Sequence, residues 1–118
     1  MTITGEVIHG AQLGRKMGFP TANIDARTIE GIDNGVYYSA VEIDGVRYKA
    51  MSNVGYRPSV DGHTRLLETH IFGFNGDLYG KTICVNLVKK IRDERRFATI
   101  EALKQQLETD AAQCLLEK

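Results

Sequence analysis

A chain of 118 residues is long enough for one hydrophobic core and too short for two. Its 15 basic and 15 acidic side chains cancel, so the charge balance favours neither a nucleic acid nor a membrane surface as the main partner. Residues 1–5 lack a charged leader region, and no apolar run reaches the length of a membrane span. We therefore expect a cytoplasmic protein with a small-molecule partner.

The first half of the chain contains several β-type segments. Residues 3–8 are a short apolar-rich run that predicts a strand, and a glycine-containing loop follows at residues 14–23. Residues 35–43 and 46–54 are rich in Val, Tyr and Ile, and the Asp-Gly pair between them is typical of a β-hairpin. The polar stretch 25–34 is predicted to be irregular and to form a mobile flap beside the loop.

The second half predicts two more strands and a helix. Residues 66–74 and 79–91 read as strands, and the turn-forming residues 75–77 between them predict a second hairpin. After residue 98 the spacing of apolar residues changes from that of a strand to that of a helix, and Thr99 is a candidate N-cap for this helix. Apolar residues recur at helical spacing at Ile100, Leu103, Leu107, Ala111, Cys114 and Leu115.

This pattern predicts an all-β fold with one C-terminal helix. Many short antiparallel strands in so small a domain either leave unpaired edges or close on themselves, and closure removes the edges. We therefore expect a closed antiparallel barrel with the helix packed against it.

The cysteines and histidines follow neither a disulfide nor a zinc pattern. Cys84 and Cys114 are expected to be reduced core thiols, because the chain needs no covalent staple to fold. His9, His63 and His70 do not have metal-ligand spacing, so we expect no zinc site.

The loop GRKMGFPTAN at residues 14–23 has the residue types of a polyphosphate site. Its glycines allow close backbone approach to an anion, and Arg15 and Lys16 add positive charge. Pro20 restricts the chain, so that Thr21 and Asn23, whose oxygens are suitable for Mg²⁺, are held in defined directions. The alternative is an ordinary surface turn before a strand.

Two further clusters carry candidate chemistry. Glu68 and His70 share one face of a strand, and Phe72 and Phe74 are predicted to continue that face. A carboxylate beside aromatic rings suits a general base toward a hydroxyl, although a solvated Glu on an exposed sheet face is the alternative.

The second cluster is the charge-rich corner at residues 91–97. Phe97 could offer its ring to a flat ligand, and Arg92 or Arg95 could offer donors to the polar edge of that ligand. The alternative is a solvated charged surface.

Together, GRKMGFPTAN, NVGYRPS, LETHIF, DLYG and IRDERRF followed by a helix resemble the riboflavin kinase family, specifically the kinase module of the bacterial type. The resemblance runs from about residue 5 to residue 110. It implies a six-stranded antiparallel barrel and ATP-dependent phosphorylation of the riboflavin 5′-hydroxyl to give FMN.

The resemblance also implies roles for individual residues. Thr21 and Asn23 would hold Mg²⁺ and the nucleotide phosphates, and Glu68 would accept the proton of the ribityl hydroxyl. The remaining implied residues are Gly10, Arg15, Ile71 and Tyr79 for the ATP site and Arg92, Arg95 and Phe97 for the flavin site.

We expect residues 1–118 to form one riboflavin kinase domain, because its motifs fill nearly the whole chain. Bacterial relatives usually carry an FMN adenylyltransferase module on the N-terminal side, which favours this chain as the C-terminal module of a bifunctional enzyme over a natural monofunctional kinase. The alternatives are a non-catalytic flavin-binding sensor and an interaction domain for a missing partner module.

Overall fold

A computed structural model of the protein describes residues 1–9, 13–59 and 62–117. Its elements, in chain order, are β1 (Thr2–Glu6), α1 (Leu13–Lys16), β2 (Ala22–Asp25), β3 (Gly35–Ile43), β4 (Val46–Ser59), β5 (Gly62–Ile71), β6 (Thr82–Arg92) and α2 (Ile100–Leu116).

The strands form one antiparallel sheet that curls into a nearly closed barrel. Their order is β1-β6-β3-β4-β5-β2, and the two edge strands approach each other. Just beyond β1, the Ile8 amide donates to the Asn23 carbonyl at 2.8 Å. A Cβ on Gly5 would lie 2.6 Å from Cγ2 of Ile24, so β1 passes β2 at a distance that only glycine allows. The predicted all-β barrel with a C-terminal helix is confirmed.

One predicted strand pairing is wrong. The expected hairpin at residues 66–91 does not form, because β5 pairs with β4 and β2 while β6 pairs with β3 and β1. The second hairpin is instead made by β4 and β5, whose register runs from Ala50 opposite Ile71 to Ser59 opposite Gly62. Residues 72–81 therefore cross from one side of the barrel to the other, and local turn residues could not distinguish these two pairings.

Several boundaries also differ from the prediction. β4 continues to Ser59 and β5 begins at Gly62, so this hairpin is longer than the apolar runs indicated. α1 occupies the start of the predicted loop. Phe74 lies beyond the end of β5 and packs edge-on against Tyr48, with ring centroids 5.6 Å apart, so it does not continue the face of Glu68.

The barrel interior contains the main core. Its apolar side chains come from all six strands, and the predicted alternation in β6 is confirmed because Ile83, Val85 and Leu87 are all buried in it. Beyond Leu87 the β3–β6 register shifts twice, which bends β6 around the barrel. Three buried hydroxyls cross this core in a hydrogen-bonded chain, with oxygen–oxygen distances of 2.7 and 2.8 Å, formed by Ser39, Ser52 and Thr69.

The C-terminal helix covers part of the outer barrel face. The predicted N-cap is confirmed, because Thr99 Oγ1 accepts a hydrogen bond from the Ala102 amide at 3.1 Å. Ala111 and Cys114 of α2 pack in a second apolar cluster on β3 and β4. Ile100 has 61% of its surface exposed. The apolar spacing in the sequence therefore predicted a wider buried face on this helix than the structure shows. Within the described residues, no helix combines the length and apolar character needed to cross a membrane.

Both cysteines are free thiols, but they differ in environment. Cys114 is fully buried, and this burial raises the pKa of its thiol to about 12. Cys84 is exposed on β6, contrary to the expected core position.

Candidate active site

A cavity of about 490 Å³ opens where β2 begins and β5 ends, and the segment after β1 also lines it. Its walls combine polar and apolar side chains, as small-molecule sites usually do, and its volume lies in their usual range of roughly 300–1,000 Å³. Five of the predicted ATP-site and metal-site residues line it, namely Arg15, Thr21, Asn23, Ile71 and Tyr79. The sixth, Gly10, lies outside the described residues.

The oxygens of Thr21 and Asn23 lie together in this cavity. Thr21 Oγ1 donates to Asn23 Oδ1 at 3.0 Å, and Asn23 is 4% exposed. Nearby, Gly18 has φ +85°, a conformation that glycine adopts easily and other residues rarely adopt. The loop is also tied to β5, because Nδ1 of His70 donates to the Pro20 carbonyl at 2.8 Å. This contact holds the Pro20 end of the site loop against β5.

An aromatic pair forms one rim of the cavity. The rings of His9 and Tyr79 stack with centroids 3.7 Å apart and an interplanar angle of 17°. The Tyr79 amide donates to Asp77 Oδ1 at 2.9 Å, which fixes the turn that carries the tyrosine. Because Tyr79 remains 53% exposed, part of its surface is available to a flat ligand.

Glu68 lies beside the cavity in a polar row on the outer barrel face. Its strand neighbours Leu67 and Thr69 are buried toward the barrel interior, so Glu68 points outward. In the sheet register it lies directly opposite Asn23 of β2 on one side and Asn53 of β4 on the other. Side chains in directly opposed antiparallel positions are neighbours, with Cβ atoms roughly 5 Å apart. A carboxylate is therefore flanked by two amides, one of which reaches the cavity.

Arg57 holds the Glu68 carboxylate. Its Nε lies 2.7 Å from Glu68 Oε1, and its Nη1 donates to Glu94 Oε2 at 3.1 Å. Glu94 reaches this position because the chain after β6 folds back over β4, where a Cβ on Gly55 would collide with the Glu94 carboxylate. In the register Arg57 lies opposite Thr64, and its long side chain reaches Glu68, four residues further along β5, over the outer face.

The predicted flavin-site residues form a separate group at the β6–α2 corner. The Arg95 guanidinium lies 4.9 Å and that of Arg92 5.8 Å from the Phe97 ring centroid. Arg92 is also held by Asp110 of α2, with Nε and Nη2 donating to the carboxylate at 2.8 to 3.1 Å. Across the sheet, Arg92 pairs with Val36, which in turn pairs with Asn53. The register therefore leads from Asn23 through Glu68 and Asn53 toward this corner, with the apolar side chain of Val36 between Asn53 and Arg92.

The structure thus brings the predicted residues to two ends of one surface. The cavity residues and Glu68 lie at the β2–β5 end, and Arg92, Arg95 and Phe97 lie at the β6–α2 end. Sequence reasoning missed Asn53 and Asp110, and it did not connect Arg57 to Glu68. The strand register of β4 and β5 would have identified Asn53 as the neighbour of Glu68, but it places Arg57 opposite Thr64, and no local pattern indicated Asp110.

The family model for riboflavin kinase, Flavokinase, matches residues 1–116 of this chain. The chain is 46% identical over 111 residues to the bifunctional riboflavin kinase/FMN adenylyltransferase of Escherichia coli strain K12, covering 92% of this chain and 35% of the relative. It is 42% identical over 109 residues to the RNA-binding riboflavin kinase RibR of Bacillus subtilis strain 168, covering 92% of this chain and 47% of the relative. The chain thus spans about a third to a half of the length of these relatives.

Two solved structures have the same fold. A macrolide-efflux protein from Streptococcus pneumoniae superposes with a TM-score of 0.87 at 36% identity, over 99% of this chain and 39% of that one. Riboflavin kinase from Trypanosoma brucei superposes with a TM-score of 0.60 at 22% identity, over 96% of this chain and 76% of that one, which shows a shared fold. The family match over nearly the whole chain decides the assignment: the chain belongs to the riboflavin kinase family.

Proposed function

We propose that residues 1–118 form a riboflavin kinase domain that transfers the γ-phosphoryl group of ATP to the 5′-hydroxyl of riboflavin, giving FMN and ADP. The observation that carries this proposal is the pairing of Asn23 with Glu68. Asn23 lines the cavity, and Glu68 lies directly opposite it on the neighbouring strand. This arrangement places a phosphate-side group and a candidate base next to each other, as in-line phosphoryl transfer requires.

ATP would occupy the cavity. Arg15 supplies positive charge for the phosphates, and the stacked His9–Tyr79 pair offers an aromatic surface to the adenine. Ile71 contributes an apolar wall. These residues would bind and orient the nucleotide; Ile71 lies at the end of β5, Arg15 lies on α1, and the Asp77 turn holds Tyr79.

Thr21 and Asn23 fit a role in holding Mg²⁺. Their side-chain oxygens are adjacent, and hydroxyl and amide oxygens are hard ligands of the kind Mg²⁺ accepts. Among the described residues there is no cluster of three or more His, Cys, Asp or Glu side chains placed to hold a metal. This suits an ion that keeps several waters and binds mainly through substrate phosphates. Mg²⁺ bound there would neutralise charge that develops on the phosphate oxygens.

Glu68 would act as the general base. Its carboxylate accepts the proton of the riboflavin 5′-hydroxyl while that oxygen bonds to the γ-phosphorus and the bond from phosphorus to the β,γ-bridging oxygen breaks. Arg57, at 2.7 Å, orients the carboxylate, and the Glu68 side chain keeps only 16% exposure. Partial exclusion of water favours direct transfer of the proton from the substrate hydroxyl.

The flavin ring would lie near Phe97. The guanidinium of Arg95 lies over the Phe97 ring, so this corner provides both a flat surface and nearby hydrogen-bond donors. Arg92 donates to the Asp110 carboxylate, which fixes the position of its guanidinium. We therefore assign Arg92 to the border of the flavin-ring site.

We further propose that the domain works in the cytoplasm together with FMN adenylyltransferase activity. Relatives from Escherichia coli and Pseudomonas fluorescens are named as bifunctional riboflavin kinase/FMN adenylyltransferases, and this chain covers 35% and 36% of them. The small-molecule partners would be riboflavin, FMN, ATP and ADP.

The test is to incubate the purified chain with riboflavin and ATP, with Mg²⁺ or with EDTA, and to separate the flavins by chromatography. We expect FMN with Mg²⁺ and little or none with EDTA. Riboflavin that binds but is not phosphorylated would support a flavin sensor instead. Absence of both binding and product would contradict the assignment of this surface to flavin.

A further inference from the structure

Among the described residues, one buried side-chain polar atom has no hydrogen-bond partner, namely Oδ1 of Asn53. Buried polar atoms in native proteins are nearly always paired, and an unpaired one is costly. The partner of such an atom is an ordered water or a ligand.

The position of Asn53 indicates what that ligand is. Ser52 and Val54 on either side of it are buried toward the barrel interior, so Asn53 projects onto the outer face. There it lies opposite Glu68 on β5 and opposite Val36 on β3. It is therefore one strand spacing, about 5 Å, from the candidate base and on the side that leads to Arg92 and Phe97.

A substrate that spans this surface places its connecting chain at Asn53. If its reactive hydroxyl meets Glu68 and its ring meets Phe97, the atoms between them cross β4. In riboflavin those atoms are a polyol. A hydroxyl both donates and accepts hydrogen bonds, so it can pair with either end of a side-chain amide.

We infer that Asn53 is a substrate-positioning residue whose side-chain amide hydrogen-bonds a secondary hydroxyl of the ribityl chain; this inference rests on the proposed function. Oδ1 accepts a hydrogen bond from that hydroxyl, so the unpaired atom gains a partner only when substrate is bound. The contact fixes the chain one carbon or two from its terminal hydroxyl and holds that hydroxyl against Glu68.

The test compares two flavins on two proteins. Dissociation constants for riboflavin and for lumiflavin, whose ring carries a methyl group in place of the ribityl chain, are measured by flavin fluorescence for the wild type and for Asn53→Leu. We expect riboflavin affinity to fall about 2- to 12-fold in the variant, the equivalent of one net hydrogen bond, and lumiflavin affinity to stay unchanged. The melting temperature without ligand should stay the same or rise, because the unpaired atom is removed.

The matched control is Asn86→Leu on β6. The Asn86 amide already has a partner, because Thr2 Oγ1 donates to its Oδ1 at 3.4 Å. We expect this change to leave the affinities for both flavins at their wild-type values. If Asn53→Leu does not fold, Asn53→Ser, which withdraws the side-chain oxygen by one bond, replaces it in the same comparison.

Equal loss of riboflavin and lumiflavin affinity would overturn the inference, because it would mean that Asn53 shapes the pocket without touching the polyol. Unchanged affinity for both flavins, or a wild type that binds neither, would overturn it as well. A wild type that binds riboflavin but forms no FMN would contradict the proposed kinase reaction alone, because the binding comparison does not depend on turnover.

Discussion

The Arg92–Asp110 pair connects the barrel to its helix through a buried carboxylate and a guanidinium side chain that keeps 17% exposure. Asp110 is 1% exposed, and it accepts hydrogen bonds from Arg92 and also from Gln106 at 2.9 Å. Desolvation opposes such a pair, so its net contribution to folding is small while both partners are present. Removal of Asp110 leaves the largely desolvated Arg92 guanidinium without its carboxylate partner.

We therefore expect Asp110→Ala to lower the free energy of unfolding by about 3 kcal/mol, as measured by guanidinium denaturation. The exposed neighbour Glu108 provides the control, and Glu108→Ala should change it by roughly 0.5 kcal/mol or less. The double variant Arg92→Met/Asp110→Leu should recover most of the loss, because no charge remains unpaired. An Asp110→Ala protein as stable as the control would contradict this account of the pair.

At the level of single residues, the sequence predicts those groups whose roles follow from local chemistry. Thr21 and Asn23 stand in a short glycine- and proline-containing segment, and Glu68 shares a strand face with His70, so their types and spacing are informative. Strand register places Asn53 opposite Glu68, the long side chain of Arg57 reaches Glu68 along the same face, and the return of α2 brings Asp110 to Arg92. Those partners are distant in sequence, and no local pattern contains them.

At the level of elements, closure of the barrel depends on how closely β1 passes β2. The missing Cβ of Gly5 makes room for Ile24, a buried β-branched side chain that has little freedom to move. Overpacked core sites usually lose roughly 1–3 kcal/mol.

Gly5→Ala should therefore lower the free energy of unfolding by about 1–3 kcal/mol, measured by thermal or denaturant unfolding. Glu6→Ala on the same strand is the control, because Glu6 is exposed and should tolerate the change. If the two variants are equally stable, the close approach of β1 and β2 does not constrain the barrel.

The pairing error shows what element-level patterns leave open. The Asp44-Gly45 turn correctly predicted the β3–β4 hairpin, because a two-residue turn fixes both partners. The residues between β5 and β6 look similar in composition, yet they form a crossing segment. The pairing of β6 with β1 and β3 is decided by closure of the sheet, which depends on all strands at once.

At the level of the whole molecule, the barrel places the two proposed binding regions at opposite ends of one row of opposed side chains. The row runs from Asn23 on β2 through Glu68 on β5 and Asn53 on β4, passes the buried apolar Val36 on β3, and reaches Arg92 on β6. A rigid sheet fixes the spacing between these side chains. Glu68 lies between the cavity and the β6–α2 corner, so the proposed reaction depends on how the sheet positions the two substrates beside this carboxylate.

The most direct test of this account is the steady-state and binding behaviour of Glu68→Gln. Gln keeps the size of the side chain and can still accept a hydrogen bond from Arg57, so the fold and the flavin site should persist. Glu42→Gln, an exposed change on β3, is the matched control and should behave as the wild type does.

We expect Glu68→Gln to lower kcat for FMN formation about 10²- to 10⁴-fold, the usual contribution of a general base, while the riboflavin dissociation constant changes far less. Equal losses in turnover and affinity, or wild-type turnover in the variant, would contradict the assignment of Glu68 as the base and with it the central claim about this surface.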